Sequence, residues 1–427
     1  MADRGTISEE ILKSVIHFAS AGARGATVNQ PPCDWHEFLK CAIDHNVQSL
    51  VACALMEASD IECTDDIKKY FLDTLKHSAA VNLVRRQRVL SLLAEMQKAG
   101  FRIIVLKGYA VSVYYAYPEC RDSFDVDILI DCAQEKDIYR YLKAKGFSVT
   151  PRSKTSHHGV CRHKKYGVLE IHANLYDEIV KEVWFQRMSD QEYIKDELSD
   201  IEIDGCKLKT LGYTDQLIFL SLHMVKHFIS NGLTIRMMLD LALFFIHNAK
   251  RIDNDRFWHT MEILQYSTLL NCILEIAVRY GGFTRSEFFG MKKVPTDLID
   301  NLLKDIERGG YMGIKELEDR KDAGMEYNCR LLLKEKTYIQ YLAYMVRWKV
   351  RSAATHMFPA REYLIKNYPF LKHYPLCIPL MRVYQSVAYP LCKLRSGILS
   401  RQIRTGKNSS SHAINERIKL FEDLKII

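Results

Sequence analysis

A chain of 427 residues, 48% hydrophobic and 26% charged, is long enough to bury two or three cores, and no low-complexity segment dominates it. Sixty Lys and Arg against 52 Asp and Glu leave a modest net charge of +8. The twelve cysteines never fall as Cys-x-x-Cys, which speaks against a zinc ribbon and for free thiols in a reducing compartment. Met1 to Gly5 lacks the basic and apolar blocks of a signal peptide, and no apolar run reaches about 18 residues. The expectation is a soluble cytoplasmic protein without a membrane span.

Residues 7 to 100 carry three helical patterns, Glu9 to Ser20, Asp34 to Ala58 and Ile67 to Lys98. The last has an apolar face of Val84, Leu90, Leu92, Leu93 and Met96, suited to bracing a sheet. Phe101 to Leu106 then reads as a buried strand, short, rich in β-branched residues and bounded by Gly100 and Gly108. A short helical segment, Tyr109 to Tyr115, leads to Pro118, and a second strand runs from Asp125 to Ile130.

Side chains at i and i+2 of a strand share a face, so Asp125 and Asp127 project together while Val126 and Ile128 point the other way. Paired carboxylates of this kind suit Mg2+, which keeps several waters and is usually completed by substrate phosphates. Asp-x-Asp triplets also arise by chance, and Asp253-Asn254-Asp255 and Glu202-Ile203-Asp204 are further cases here. Asp255 reads as the cap of a helix beginning near Phe257, and Glu202 and Asp204 lie in a hairpin, Ile201 to Lys209, that turns at Asp204-Gly205.

A helix from Glu135 to Lys145 and a strand from Phe147 to Thr150 precede a second hairpin connection, His163 to Gly167. The strand after it places Val168, Glu170 and His172 on one face and Leu169 and Ile171 on the other. Glu170 is the candidate third carboxylate, since two cations clamping a phosphoryl displacement need more than one acidic pair. A salt bridge to Lys164, Lys165 or Arg162 is the plainer alternative. His157-His158 reads as a loop pair at a strand edge.

From Tyr213 onward the pattern is helical: Asp215 to Phe228, Thr234 to His247, Asp255 to Tyr280, Leu298 to Arg308 and Glu335 to Thr355. His223 and His227 stand one helical turn apart and suit a structural or cleft role, with Asp240 or a backbone carbonyl orienting one ring; metal ligation is the alternative. Arg236 and Asp240 have the spacing of a helical ion pair. Lys393, Arg395, Arg401, Arg404 and Lys407 form a basic stretch without an acid, able to touch nucleic acid or anionic lipid, or simply solvated.

Several of these pieces together resemble the uncharacterised nucleotidyltransferases, sometimes labelled type 5, of the DNA polymerase beta-like superfamily. Leu106-Lys107-Gly108 is similar to the family's "LKG" turn; Tyr117-Pro118 through Arg121 to Asp125-Val126-Asp127-Ile128-Leu129 is similar to its doubly acidic block; Leu169-Glu170-Ile171-His172 is similar to its "h-E-h-H" strand. Asp34-Trp35 through Ala42, His45-Asn46-Val47 and Leu50 resemble its N-terminal helices, and His223, His227, Arg236 and Asp240 its downstream ones. The wider superfamily has Gly-Ser at the turn after the first strand, where Lys107-Gly108-Tyr109 stands here.

The resemblance implies an α+β fold: a small mixed-sheet nucleotidyltransferase core over residues 101–210, an N-terminal helical segment over 1–100, a C-terminal helical domain over 211–392 and a basic tail over 393–427. It implies transfer of an NMP from an NTP to an acceptor hydroxyl, with release of pyrophosphate. Asp125, Asp127 and Glu170 would hold Mg2+, or Mn2+, which accepts the same oxygen ligands. Lys107, the Gly108 amide and Arg121 would meet the triphosphate, with His172 beside the nucleotide, although Arg121 could instead pair with Asp122 or Glu119. The acceptor could be a small molecule, a protein or RNA. A toxin-like transferase acting on tRNA and a silent nucleotide-binding scaffold are the other expectations.

Overall fold

The computed structural model describes residues 4–310 except 59–60, 124, 153–157 and 176–196, then 319–320, 323–324, 327, 364, 368, 371, 374–384, 386 and 409–426. Two compact units divide the chain: Met1–Gly324 with Arg417–Ile427, and Met325–Glu416. The predicted helix Glu335 to Thr355 and the basic stretch Lys393 to Lys407 lie outside the described residues. Within the smaller unit, Leu364, Leu371 and Ile378 bury a small cluster.

The larger unit opens with four helices, α1 (Arg4–Arg24), α2 (Trp35–Asp44), α3 (Gln48–Glu57) and α4 (Asp65–Lys98). The pattern read as one helix from Asp34 to Ala58 is two. Asn46 turns left-handed at φ 53° and ends α2, whose first turn is capped by the Asp34 carboxylate accepting from the amides of His36 and Glu37. Gly22 of α1 lies directly against the Leu50 carbonyl of α3, an approach that leaves no room for a Cβ.

Among the described residues the strands form one seven-stranded mixed sheet in the order β3-β4-β5-β2-β1-β7-β6. They are β1 (Ile103–Val105), β2 (Asp125–Ile130), β3 (Ser148–Thr150), β4 (His158–His163), β5 (Gly167–His172), β6 (Ser199–Ile203) and β7 (Cys206–Thr210). The central pair β1/β2 is antiparallel, while β2/β5 and β1/β7 run parallel. The hairpin β6/β7 turns where expected, with Asp204 and Gly205 both at positive φ, 48° and 78°. Asp204 also pairs with Arg86 of α4, Nε to Oδ2 at 2.6 Å, and this ties the hairpin to the helix beneath it.

Alternation decides what each sheet face carries. Val105, Val126, Ile128, Leu169, Ile171 and Leu208 pack against Leu93 and Met96 of α4 and Ile138 and Leu142 of α6 (Glu135–Ala144), which comes after the short α5 (Lys107–Ser112) in the chain. The opposite face holds Ile104 and Leu106, which pack with Leu211 and Phe219. Asp125, Asp127, Glu170 and His172 belong to this second face by parity. Burying such groups costs several kcal/mol each, and the apolar face beneath, at about 1.5–3 kcal/mol per aliphatic side chain, offsets that cost.

Phe219 comes from α7 (Tyr213–Ser230), the first of five helices completed by α8 (Ile235–Asn248), α9 (Asn254–Ile263), α10 (Ser267–Tyr280) and α11 (Thr296–Gly309). The span read as one helix from Asp255 to Tyr280 is broken at Gln265, φ 64°. Its start is also corrected: Asp253, not Asp255, is the cap, accepting from the Arg256 amide. The last helix, α12 (Ser409–Asp423), returns residues 417–423 to this unit. There Arg417, set against the rings of Phe228 and Phe421, joins Arg320 on the buried Asp305 carboxylate and donates to the Phe228 carbonyl of α7. The described cysteines are free, and among the described residues no helix is long and apolar enough to cross a membrane.

Candidate active site

Strand register brings the acids together. In the parallel pair β2/β5, Asp127 lies opposite Glu170 and Leu129 opposite His172, and on the other side of β5 His158 lies opposite His172. Partners in register share a face, so Asp127 and Glu170 stand side by side with Asp125 two residues before. Ligand atoms of Asp125, Asp127 and Glu170 all fall within 4.8 Å of one another. Three such oxygens fit a hard divalent cation.

The carboxylates open into a cavity of about 340 Å³. Lys107, Gly108, Arg121 and Ser123 form one side of it, and α7 and α8 supply His223, Lys226, His227, Arg236 and Asp240 to the other. Of the residues expected from the sequence, Lys107, Gly108, Arg121, Asp125, Asp127 and Glu170 all line this cavity. His172 does not line it: the ring is 1% exposed and lies behind the acids, Nε2 2.8 Å from Asp127 Oδ1 and 3.7 Å from Glu170 Oε2.

Asp127 is the hinge of the charge arrangement. The Lys107 ammonium reaches Asp127 Oδ1 at 2.9 Å and His223 Nε2 at 3.5 Å. Burial works against a charged Asp127, yet Lys107 and the His172 hydrogen bond outweigh it and hold its carboxyl well below the usual carboxylate range. Asp125 moves the other way, raised by burial and by the neighbouring Asp127 charge. Lys107 and His172 are both raised, because the carboxylates around them overcome the penalty of burial. The ammonium thus stands on the carboxylate that a divalent cation would take.

Arg121 does not pair with Asp122 or Glu119 in the way the sequence allowed. Its Nε and Nη2 donate to Asp240 at 2.7 and 2.6 Å, and the Tyr115 hydroxyl donates to the same carboxylate at 2.6 Å. Asp240 is therefore bound across the cleft, whereas the sequence had paired it within its own helix. With two nitrogens committed, Arg121 turns Nη1 to the cavity floor, 3.7 Å from where a Cβ on Gly108 would sit. Ser123 Oγ lies 3.5 Å from that same point, an aliphatic hydroxyl beside a turn that has no serine of its own.

Two residues escaped the sequence reading. Lys226 had a signal: with His223 and His227 it makes a polar stripe at i, i+3 and i+4 in the largely apolar second half of its helix. His158, read as a loop residue, begins β4 and faces Glu170, Nε2 to Oε2 at 3.8 Å. Only the strand pairing reveals it.

His223 and His227 are kept neutral. Burial, then the nearby Lys107 charge, lowers both, His227 to about 3. A depressed folded-state value gives stability that is full above the ordinary histidine value, about 6.5, and is lost as pH falls toward 3. We expect unfolding free energy, from urea titrations at stepped pH, to fall across that window. The His227→Gln variant should bind close to one proton fewer on unfolding there. An unchanged slope would show that His227 is not held neutral.

A mixed sheet that gathers three carboxylates at the mouth of a helix-walled cleft defines an α+β nucleotidyltransferase-like fold. The chain belongs to the family of uncharacterised nucleotidyltransferases, whose sequence model matches residues 31–282, and it is a nucleotidyltransferase. No curated protein matches it. Among solved structures it is similar to the antibiotic-resistance factor ANT(2'')-Ia at 10% identity and a TM-score of 0.29, covering 39% of this chain and 88% of that one. It is also similar to a tRNA-processing enzyme at 13% identity and a TM-score of 0.22, covering 86% and 99% respectively. Likenesses this weak transfer neither substrate nor acceptor.

Proposed function

We propose that the cleft binds a nucleoside triphosphate with Mg2+, or Mn2+, and transfers its nucleotidyl group to an acceptor hydroxyl, releasing pyrophosphate. The observation that carries this reading is the convergence of Asp125, Asp127 and Glu170 within 4.8 Å, facing a cavity lined with cationic groups. Asp125 and Asp127 would hold one cation, and Asp127 with Glu170 a second. Bound there, divalent cations neutralise triphosphate charge and make an acceptor hydroxyl easier to deprotonate.

The remaining chemistry belongs to the side chains. Lys107 gives up Asp127 and carries its ammonium to the phosphates, so the site keeps its charge balance as substrate enters. Arg121, fixed by Asp240, offers Nη1 at the floor without having to reorganise, which is where preorganised donors act most strongly. Lys226 and Arg236 face the leaving pyrophosphate from the opposite wall. His172 holds Asp127 in orientation from behind, a positioning role in place of the nucleotide contact expected from the sequence. Glu170, 22% exposed on β5 beside the buried Asp127, takes the acceptor proton.

The test is incubation of the purified protein with each labelled NTP and Mg2+ beside Glu170→Gln, reading pyrophosphate release and label on protein, RNA or a small-molecule pool. Transfer by wild type, reduced at least about a hundredfold in the variant, is expected for loss of a group acting in acid–base chemistry. Metal-dependent NTP binding with no transfer to any pool would turn the reading toward a binding module. Equal activity of Glu170→Gln and wild type would remove the third carboxylate from the mechanism.

A further inference from the structure

We infer that β4 and β5 carry a second donor set, His158, Glu170 and His172, which takes a first-row transition ion such as Co2+, Zn2+ or Mn2+ in preference to Mg2+, sharing Glu170 with the all-oxygen set. The inference rests on the carboxylate cluster binding divalent cations, as proposed above.

Register builds the set. His158 and His172 are direct partners across the antiparallel pair β4/β5, and Glu170 precedes His172 by two residues on the same face. The two imidazole rings tilt together, centroids 5.1 Å apart. Their Nε2 atoms lie almost equally far from Glu170 Oε2, 3.8 Å for His158 and 3.7 Å for His172. One ligand atom from each of the three falls within 4.8 Å of the other two. Metal–nitrogen and metal–oxygen bonds of about 2.0–2.2 Å set ligand atoms roughly 3–3.5 Å apart, so small side-chain rotations close the set.

Donor chemistry then decides the ion. Imidazole nitrogen suits borderline transition ions, whereas Mg2+ takes oxygen and keeps its waters. Glu170 belongs to both sets, and a shared carboxylate is what places two ions the roughly 3.5–4 Å apart that a paired site requires. With no ion in this set, His172 keeps its 2.8 Å hydrogen bond to Asp127 and His158 has no ligand role; closing the set takes His172 Nε2, without its proton, from Asp127 to the ion. His158 tells the two states apart, since it lines the cavity and faces Glu170 from β4 at 3.8 Å.

The experiment titrates the full chain, stripped with chelator, with Co2+ followed by visible absorption, and with Mg2+ by calorimetry. His158→Ala and His158→Gln run in parallel, Gln preserving polarity should Ala disturb β4. Wild type is expected to prefer Co2+ over Mg2+, and both variants to lose at least about tenfold of that preference with a change in the Co2+ bands. A preference and spectrum unchanged in both variants would overturn the inference and leave the carboxylate reading standing. Failure of wild type to bind either ion would overturn both.

Discussion

Asp127→Asn should abolish nucleotidyl transfer, lowering kcat/KM by about 1000-fold or more, equivalent to about 4 kcal/mol of transition-state stabilisation. Asp127 is 1% exposed, central to the cluster, and common to both cation positions proposed for the three carboxylates. An amide of the same shape keeps packing and removes the charge that a cation requires. It also removes the partner that holds Lys107 and His172 in their charged forms. Pyrophosphate release at saturating Mg2+ measures the effect, with circular dichroism confirming the fold. A rate within tenfold of wild type would place the chemistry elsewhere.

Asp240→Ala should cost about 3–5 kcal/mol of stability, the range for removing one partner of a buried ion pair. The Arg121 side chain is 5% exposed and is held by two hydrogen bonds to Asp240, which also accepts from the buried Tyr115 hydroxyl. Without the carboxylate, a guanidinium and a phenol are stranded away from water. Replacing both partners, Arg121→Met with Asp240→Leu, should recover much of the loss, because the uncompensated charge goes with them. Urea unfolding measures both. A cost below about 1 kcal/mol for Asp240→Ala would show that the cleft admits water to Arg121.

The alternation of apolar residues in Asp125–Ile130 and Gly167–His172 already announced which side chains share a face, because a period of two admits little else. Helix breaks at Asn46 and Gln265 were hidden: neither is Gly or Pro, and the periodicity resumes on the far side of each. The bond between Arg121 and Asp240 spans 119 positions, while a local partner for Asp240 lay four residues away and was the natural first choice. His158 fared likewise. A strand edge beside a histidine pair carries no local mark, and what the residue faces follows only from β4 lying on β5.

The return of residues 417–427 to the first unit, with 325–416 between, bears on how the protein is made. While the chain is being synthesised, α7 and α11 emerge long before Arg417, so Asp305 waits with Arg320 for its second cation. The wall that carries His223, Lys226 and His227 gains its last support only after the whole intervening segment has left the ribosome. Chains interrupted within that segment would present the acidic strands without the buttress of α12. Arg417 thus supports the cleft wall from behind, through Asp305 and the Phe228 carbonyl of α7.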